Sequence, residues 1–218
     1  MNSKLRIILG LPKSIYVCLR CLDIKTAIKL PILVSANTRL CSLSGRISFT
    51  EKSHFGMLRI GLGGAGTAIN IPSAIENYGE LICGDNVRIG GGCQICTVSA
   101  KSKLIIGNNV KVMSESHIIA SDSVTVGADT FISWNTQIMD TDYHKIIINE
   151  IAKPVEAPIY IGNKCWIASR VNILKATMIP NGCIIASGST IKGVLKEEKA
   201  IYTGLPVKKL ADNANWKP

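Results

Sequence analysis

Ile and Val return every sixth residue through the second half of the chain. From Cys83 the sequence divides into CGDNVR, IGGGCQ and ICTVSA. After a short break come IGNNVK, VMSESH and IIASDS, then VGADTF, ISWNTQ and IMDTDY. A longer break precedes IGNKCW, IASRVN, ILKATM, IPNGCI, IASGST and IKGVLK. Of these fifteen first positions fourteen are Ile or Val, and twelve of the fifth positions are Val, Cys, Ser or Thr. Neither the 3.6-residue period of a helix nor the alternation of a strand produces such a beat. A chain that runs straight, turns a corner and repeats does produce it, with three hexads closing one triangular coil. First positions then point inward and stack on their equivalents in the next coil. Fifth positions also point inward, beside a corner where only a small side chain fits. Gly, Asn and Asp relieve the corner backbone, and each coil pairs in parallel with the next.

Short apolar runs over 44–82 (GRISF, MLRIG, GELIC) predict that the coils begin there in a less regular register, giving a body over 44–195. Residues 1–43 read as a helical and extended region. Ile15, Cys18, Leu19 and Leu22 make an apolar stripe behind Pro12, Pro31 ends a second short helix, and the pair is expected to cover one open end of the stack. Residues 196–218 are expected to cap the other end. GLGGAG at 61–66 has dinucleotide-loop spacing, but TAINIPSAIE behind it offers no helical stripe, so corner glycines are the expectation.

Composition adds two constraints. Aromatics are only 5% of the chain, which suits thin β layers better than a core built around large rings. The net charge is +10, and +7 of it falls within residues 1–50. That region reads as a solvated basic face or as a contact for an anionic membrane surface or anionic substrate. Aromatic residues are not interleaved with the basic ones, which argues against nucleic acid. The longest early apolar run, IILGL, is too short to span a bilayer and lacks a cleavage site, so a cytoplasmic protein is expected. Of the eight cysteines, Cys93, Cys165 and Cys183 fall at inward fifth positions. The CxxC pairs Cys18/Cys21 and Cys93/Cys96 are far apart and without nearby histidine, so no metal site is expected.

The candidate chemistry lies where the beat stops. The repeat is unbroken from Val126 to Tyr143, then His144 opens an excursion over 144–160, and the beat resumes at Ile161. Loops on rigid scaffolds are favoured places for function. An imidazole can take a hydroxyl proton near neutral pH when a carboxylate holds its other nitrogen. On strand alternation Asp142 and Asp140 share the face of His144, and either could orient the ring or bind an acceptor. Trp134 and Asn135, one hexad earlier, could line the acceptor side.

The hexads resemble those of the hexapeptide-repeat family, whose fold is an all-β, left-handed parallel β-helix, here with short N-terminal helices and a C-terminal cap. FISWNTQIMDTDYHKI, with SIYVCLRCLDIKTAIKLPILVS near the start and IYTGLPVKKL near the end, is most similar to sugar O-acetyltransferases of bacterial capsule and surface-polysaccharide pathways. The resemblance implies acetyl-CoA as donor, direct attack by the acceptor without an acyl-enzyme, and a homotrimer with its sites between neighbouring prisms.

On the same resemblance His144 is the general base, with Asp142 beside it, and Asp140, Asn135, Trp134 and Trp166 on the acceptor side. Ser169, Ser187, Lys192 and Lys208 face the donor, the last well suited to CoA phosphates. Ala168 stands where the family usually has glycine. Three alternatives stay open. One is N-acylation of an amino-sugar nucleotide. The second is a metal-dependent carbonic anhydrase, disfavoured because His54, His117 and His144 are widely spaced. The third is a β-helix that has lost catalysis.

Overall fold

The computed structural model describes residues 3–63 and 71–217. Their strands stack into three faces of nine, seven and six strands, parallel except for the last strand, Lys208–Ala211, and the chain visits the faces in turn. On the first face Arg88 pairs with Lys111, Lys111 with Phe131, Phe131 with Trp166, and Trp166 with Ile184. The fold is the left-handed parallel β-helix that the hexads imply.

All fifteen first positions from Cys83 to Ile191 are buried in one continuous core. Each fully buried Ile or Val contributes on the order of 1.5–3 kcal/mol over its exposed state, so the beat is the main source of stability. Cys93, Cys165 and Cys183 are fully buried fifth positions. Burial pushes the Cys83 and Cys165 thiols up to about 12 and Cys93 to about 11, so they are core residues of low reactivity. Fifth positions fail at one corner: Ser99 is exposed, and Asp122 and Asp142 are half-buried. There the chain carries extra residues between the second and third faces, which turns the corner outward.

Side chains also link successive corners. Asn86 donates from Nδ2 to Asn109 Oδ1 at 2.9 Å, and Asn109 donates to Asp129 Oδ1 at 3.0 Å. All three have left-handed backbone, a conformation that Asn and Asp tolerate better than other side chains.

The expected start at residue 44 is too late. Strands β1 (Ile32–Val34), β2 (Arg39–Leu43) and β3 (Arg46–Phe49) already form a full coil, paired in parallel with Leu58–Gly63, Ala74–Asn77 and Glu80–Cys83. Register shifts at Leu40/Ser42 and Ile60/Gly63 hide this coil from a six-residue count. In the GLGGAG segment Gly61 is left-handed and leads into strand residues Leu62 and Gly63, while 64–66 lie outside the described residues.

The N-terminal helix α1 (Ser3–Cys21) runs through Pro12, and α2 (Ile24–Ala27) follows. Asp23 caps α2 by accepting from Thr26 N at 3.1 Å. The stripe expected to face inward does so only in part: Cys18 is buried and Leu22 packs against the core, but Ile15 is 43% and Leu19 53% exposed. The buried face runs through Arg6, Gly10, Ser14, Val17 and Cys18. Close approach decides this orientation. A Cβ on Gly10 would lie 2.1 Å from the Val34 carbonyl oxygen, and Ser14 Oγ accepts from Val34 N at 2.9 Å. Helix α1 thereby covers the free edge of β1, which would otherwise template further pairing.

At the other end Ile201–Thr203 pairs in parallel with Ile184–Ile185, and Lys208–Ala211 folds back antiparallel. The tail does more than cap that end, because it returns along the first face. Trp216 donates to the Lys164 carbonyl at 2.8 Å and packs 6.2 Å from Phe131 and 6.3 Å from Trp166.

Candidate acyl-transfer site

The excursion is an antiparallel hairpin. Ile147–Ile148 pairs with Ile151–Ala152 around Asn149 and Glu150, both left-handed, as a two-residue hairpin turn requires. Its root is held from three directions. Thr141 bridges Glu156, Asp142 N donates to the Val155 carbonyl at 2.9 Å, and Ala157 N donates to the Asp140 carbonyl at 3.0 Å. Ser121 Oγ donates to Glu156 at 2.5 Å. Beyond the root Ile146, Ile147, Ile148 and Ile151 are all exposed, an apolar arm reaching out of the prism.

His144 stands at this root, exposed, and among the described residues forms no hydrogen bond or ion pair with either aspartate. The alternation that would align it with Asp142 and Asp140 fails for a local reason. The strand ends at Met139, and Tyr143 is left-handed with φ 56°, which turns the chain just before His144.

The two aspartates serve the root instead. Asp140 is fully buried, and its carboxylate accepts from Ser121 N at 2.7 Å and Asp122 N at 2.9 Å. Burial raises its carboxyl above the ordinary range, against the lowering effect of those N–H groups. Asp140 therefore cannot reach an acceptor in this conformation. Asp142 pairs with Lys175 at 2.6 Å, and Lys175 also donates to the Pro154 and Val155 carbonyls. Its partner is thus a lysine of the next coil rather than the histidine. Lys175 escaped the sequence reading although its signal is visible: it is a charge at the third position of ILKATM.

Most of the remaining candidates gather on the edge between the first and second faces. Trp134, Asn135, Ser169 and Ser187 lie there in successive coils. Arg170 N donates to the Trp134 carbonyl, Gly188 N donates to the Ser169 carbonyl, and Ser187 Oγ donates to the same oxygen at 2.8 Å. The edge is open beside Gly188, where a Cβ would meet nothing within 4 Å. Trp166 sits on the first face with its Nε1 donating to Ser133 Oγ at 3.1 Å. Lys192 and Lys208 are both exposed on the terminal coil and its antiparallel extension.

Between this edge and the hairpin lies the second face. Its outward column Gln94, His117, Gln137 and Asn172 is in register and lines a groove of about 430 Å³ with Asn135 and Thr136. These residues occupy the sixth position of the second hexad in each coil, a polar series that the sequence reading passed over. The hairpin root with His144 and the edge with Trp134, Asn135, Ser169 and Ser187 thus lie on opposite margins of one face.

The comparisons agree with this architecture. No protein-family model matches the chain. It is 29% identical over 201 residues to an uncharacterised 24.8 kDa protein of the cps region of Klebsiella pneumoniae, covering 92% of this chain and 87% of that one. It is 27% identical over 153 residues to the putative lipopolysaccharide biosynthesis O-acetyl transferase WbbJ of Escherichia coli, covering 64% of this chain and 76% of the relative. The chain is thus similar in sequence to a protein named as a putative O-acetyl transferase of lipopolysaccharide biosynthesis. Among solved structures, the polysialic acid O-acetyltransferase OatWY superposes with a TM-score of 0.56 at 21% identity, over 86% of this chain and 90% of OatWY. The N-acyltransferase AntD of Bacillus cereus, in complex with dTDP and coenzyme A, superposes with a TM-score of 0.55 at 17% identity, over 78% of this chain and 84% of AntD. At such identities both likenesses speak for the fold alone.

Proposed function

We propose that the chain is an acetyl-CoA-dependent O-acetyltransferase acting on a sugar hydroxyl in surface-polysaccharide synthesis, with His144 as general base. The observation that carries this reading is the placement of His144. It is an exposed imidazole at the braced root of a hairpin that leaves an otherwise regular stack. The kinship with a putative lipopolysaccharide O-acetyl transferase supplies the acceptor class. The proposed step is direct. The His144 imidazole takes the proton of the sugar hydroxyl as its oxygen attacks the thioester carbonyl, and the CoA thiolate leaves. Backbone and serine groups along the open edge at Ser169, Ser187 and Gly188 would receive the donor arm, and Lys192 and Lys208 its phosphates. Trp134, Asn135, Trp166 and the polar column of the second face would meet the acceptor.

Because hairpin and open edge flank opposite sides of one face, the reading requires a second copy. The hairpin of one subunit would complete the edge of its neighbour in a homotrimer, with the exposed isoleucines of the arm as the docking element.

The reading also places the protein in the cytoplasm against the inner membrane face. Among the described residues no helix is long and apolar enough to cross a membrane. The outer face of α1, however, presents Leu5, Ile8, Leu9, Ile15, Tyr16 and Leu19 at helical spacing, all exposed. Such a stripe, set in the strongly basic first fifty residues, suits an interfacial helix on anionic lipid. Flotation with anionic vesicles checks this, and absence of co-flotation would refute it.

Thiol release from acetyl-CoA, followed across a panel of sugars, nucleotide-sugars and amino-sugars, tests the central reading. Release with a hydroxyl acceptor supports O-transfer. Release only with an amine acceptor would move the assignment to N-acylation. A protein that does not bind acetyl-CoA is not a transferase of this kind.

A further inference from the structure

The first face carries a feature that the proposed transfer does not use. Arg59, Arg88 and Lys111 stand on three neighbouring strands in direct register, Arg59 opposite Arg88 and Arg88 opposite Lys111. Parallel strands lie about 4.8 Å apart, so the side chains form a short row of like charge. Like charges directly opposite one another destabilise a sheet. Elsewhere the same stack avoids this: on the third face the in-register pair Glu80 and Lys103 has opposite signs and closes to 3.3 Å.

No carboxylate among the described residues forms an ion pair with any of the three cations. Arg59 donates only to the Gly56 carbonyl, and Arg88 to the carbonyls of Gly56, Met57 and Val87. Asp85, whose charge reaches Arg88, is engaged by His54 at 3.0 Å. Burial, followed by the Arg59 charge, lowers the Arg88 pKa from the ordinary arginine value, and the Asp85 charge offsets this only in part.

The row lines a cavity of about 320 Å³, walled on one side by Ile7 of α1 and on the other by Leu62, Val112 and Met113. One residue before Ile7, Arg6 is 8% exposed, and its Nε and Nη2 have no hydrogen-bond partner. Buried guanidinium donors left unpaired are costly.

We propose that the cleft between α1 and the first face is a binding site for a phosphoryl or diphosphoryl group, held by Arg59, Arg88 and Lys111. Guanidinium forks and ammonium groups are the natural partners of such oxyanions. Three cations spaced along neighbouring strands match a diphosphate better than a single carboxylate. The apolar walls and the apolar outer face of α1 favour an amphiphilic carrier of that group, although the oxyanion chemistry is shared with soluble diphosphates. The inference is independent of the acetyl-transfer reading, because none of these residues belongs to the proposed catalytic or donor machinery.

The test uses the full chain, with inorganic pyrophosphate as probe and sodium chloride at matched ionic strength as control. Calorimetry should show saturable pyrophosphate binding, and thermal unfolding should shift upward with it. Lys111→Gln, at an exposed position, should weaken binding about tenfold. Without pyrophosphate it should melt no lower than wild type, because it removes a repulsion. Arg88→Gln should weaken binding further, and Lys111→Gln remains decisive should the loss of the Arg88 carbonyl contacts impair folding. Vesicles with and without phosphatidic acid form the second arm: tighter binding there than to pyrophosphate assigns the group to a lipid, and the reverse assigns it to a soluble diphosphate. Pyrophosphate acting no better than chloride, or binding wild type and Lys111→Gln equally, would overturn the site.

Discussion

Two edges flank the second face, and the same six-residue beat builds both, yet they behave differently. The edge shared with the first face turns alike in every coil from Gly90 onward. It uses one left-handed residue each time: Gly92, Glu115, Asn135, Arg170 and Gly188. The edge shared with the third face varies. Its connections run from Thr97 to Lys103, Ala120 to Ser123, Met139 to Ile159 and Leu174 to Met178. Parallel stacking fixes the strands but leaves a corner free to grow outward, and loop closure costs rise only slowly with length. The constant edge thus offers a repeating surface along which an extended ligand can lie. The variable edge carries the one long insertion, and with it the exposed histidine.

Breaking the variable edge at its chemistry should have the largest effect. His144→Ala should lower thiol release by about 10²-fold or more while leaving acetyl-CoA binding unchanged, as steady-state kinetics and calorimetry would show. Breaking its foundation comes next. Asp140→Ala leaves Ser121 N and Asp122 N without their carboxylate and should cost about 2–4 kcal/mol in urea unfolding. Burial raises the Asp140 carboxyl in the folded chain, so its contribution is full below the ordinary Asp value near 4 and declines as pH rises through the raised one. The wild-type margin over D140A should therefore narrow from acid toward neutral pH. Lys175→Met removes the partner of Asp142 and should cost about 1–3 kcal/mol. It should also make the hairpin more sensitive to limited proteolysis. The smallest effect belongs to the constant edge. Arg170→Gly relieves a left-handed arginine but loosens the unfolded chain, and its stability should stay within about 1 kcal/mol of wild type.

The contrast also explains what the sequence could convey. First positions were legible because each faces the core in every coil. Outward columns were equally periodic, with Arg88, Lys111, Phe131 and Trp166 as sixth residues of the leading hexads. Their alignment emerges only once the coils are brought into register across insertions of different lengths. The first coil was illegible because β1 has three residues and bulges displace its neighbours. Helix α1 misled because its most apolar stripe faces outward, while Gly10 and Ser14 make the close contact that orients it. At the site the sequence located His144 correctly on the excursion but not its surroundings. Strand alternation assumed a strand that stops at Met139, so Asp140 and Asp142 became anchors of the hairpin, and Lys175 was missed.

The central claim is that hairpin and constant edge meet across two copies of the chain. Mixing two inactive variants tests it most directly. His144→Ala lacks the base, and Ser187→Trp fills the open edge where the donor arm is expected. After the two are unfolded, mixed equally and refolded, thiol release with the acceptor found for wild type should recover to about a quarter of the wild-type rate. In a mixed ring, some interfaces then pair an intact hairpin with an intact edge. A mixture as inactive as its components, from variants that assemble normally, would place both halves of the site in one copy and contradict the account.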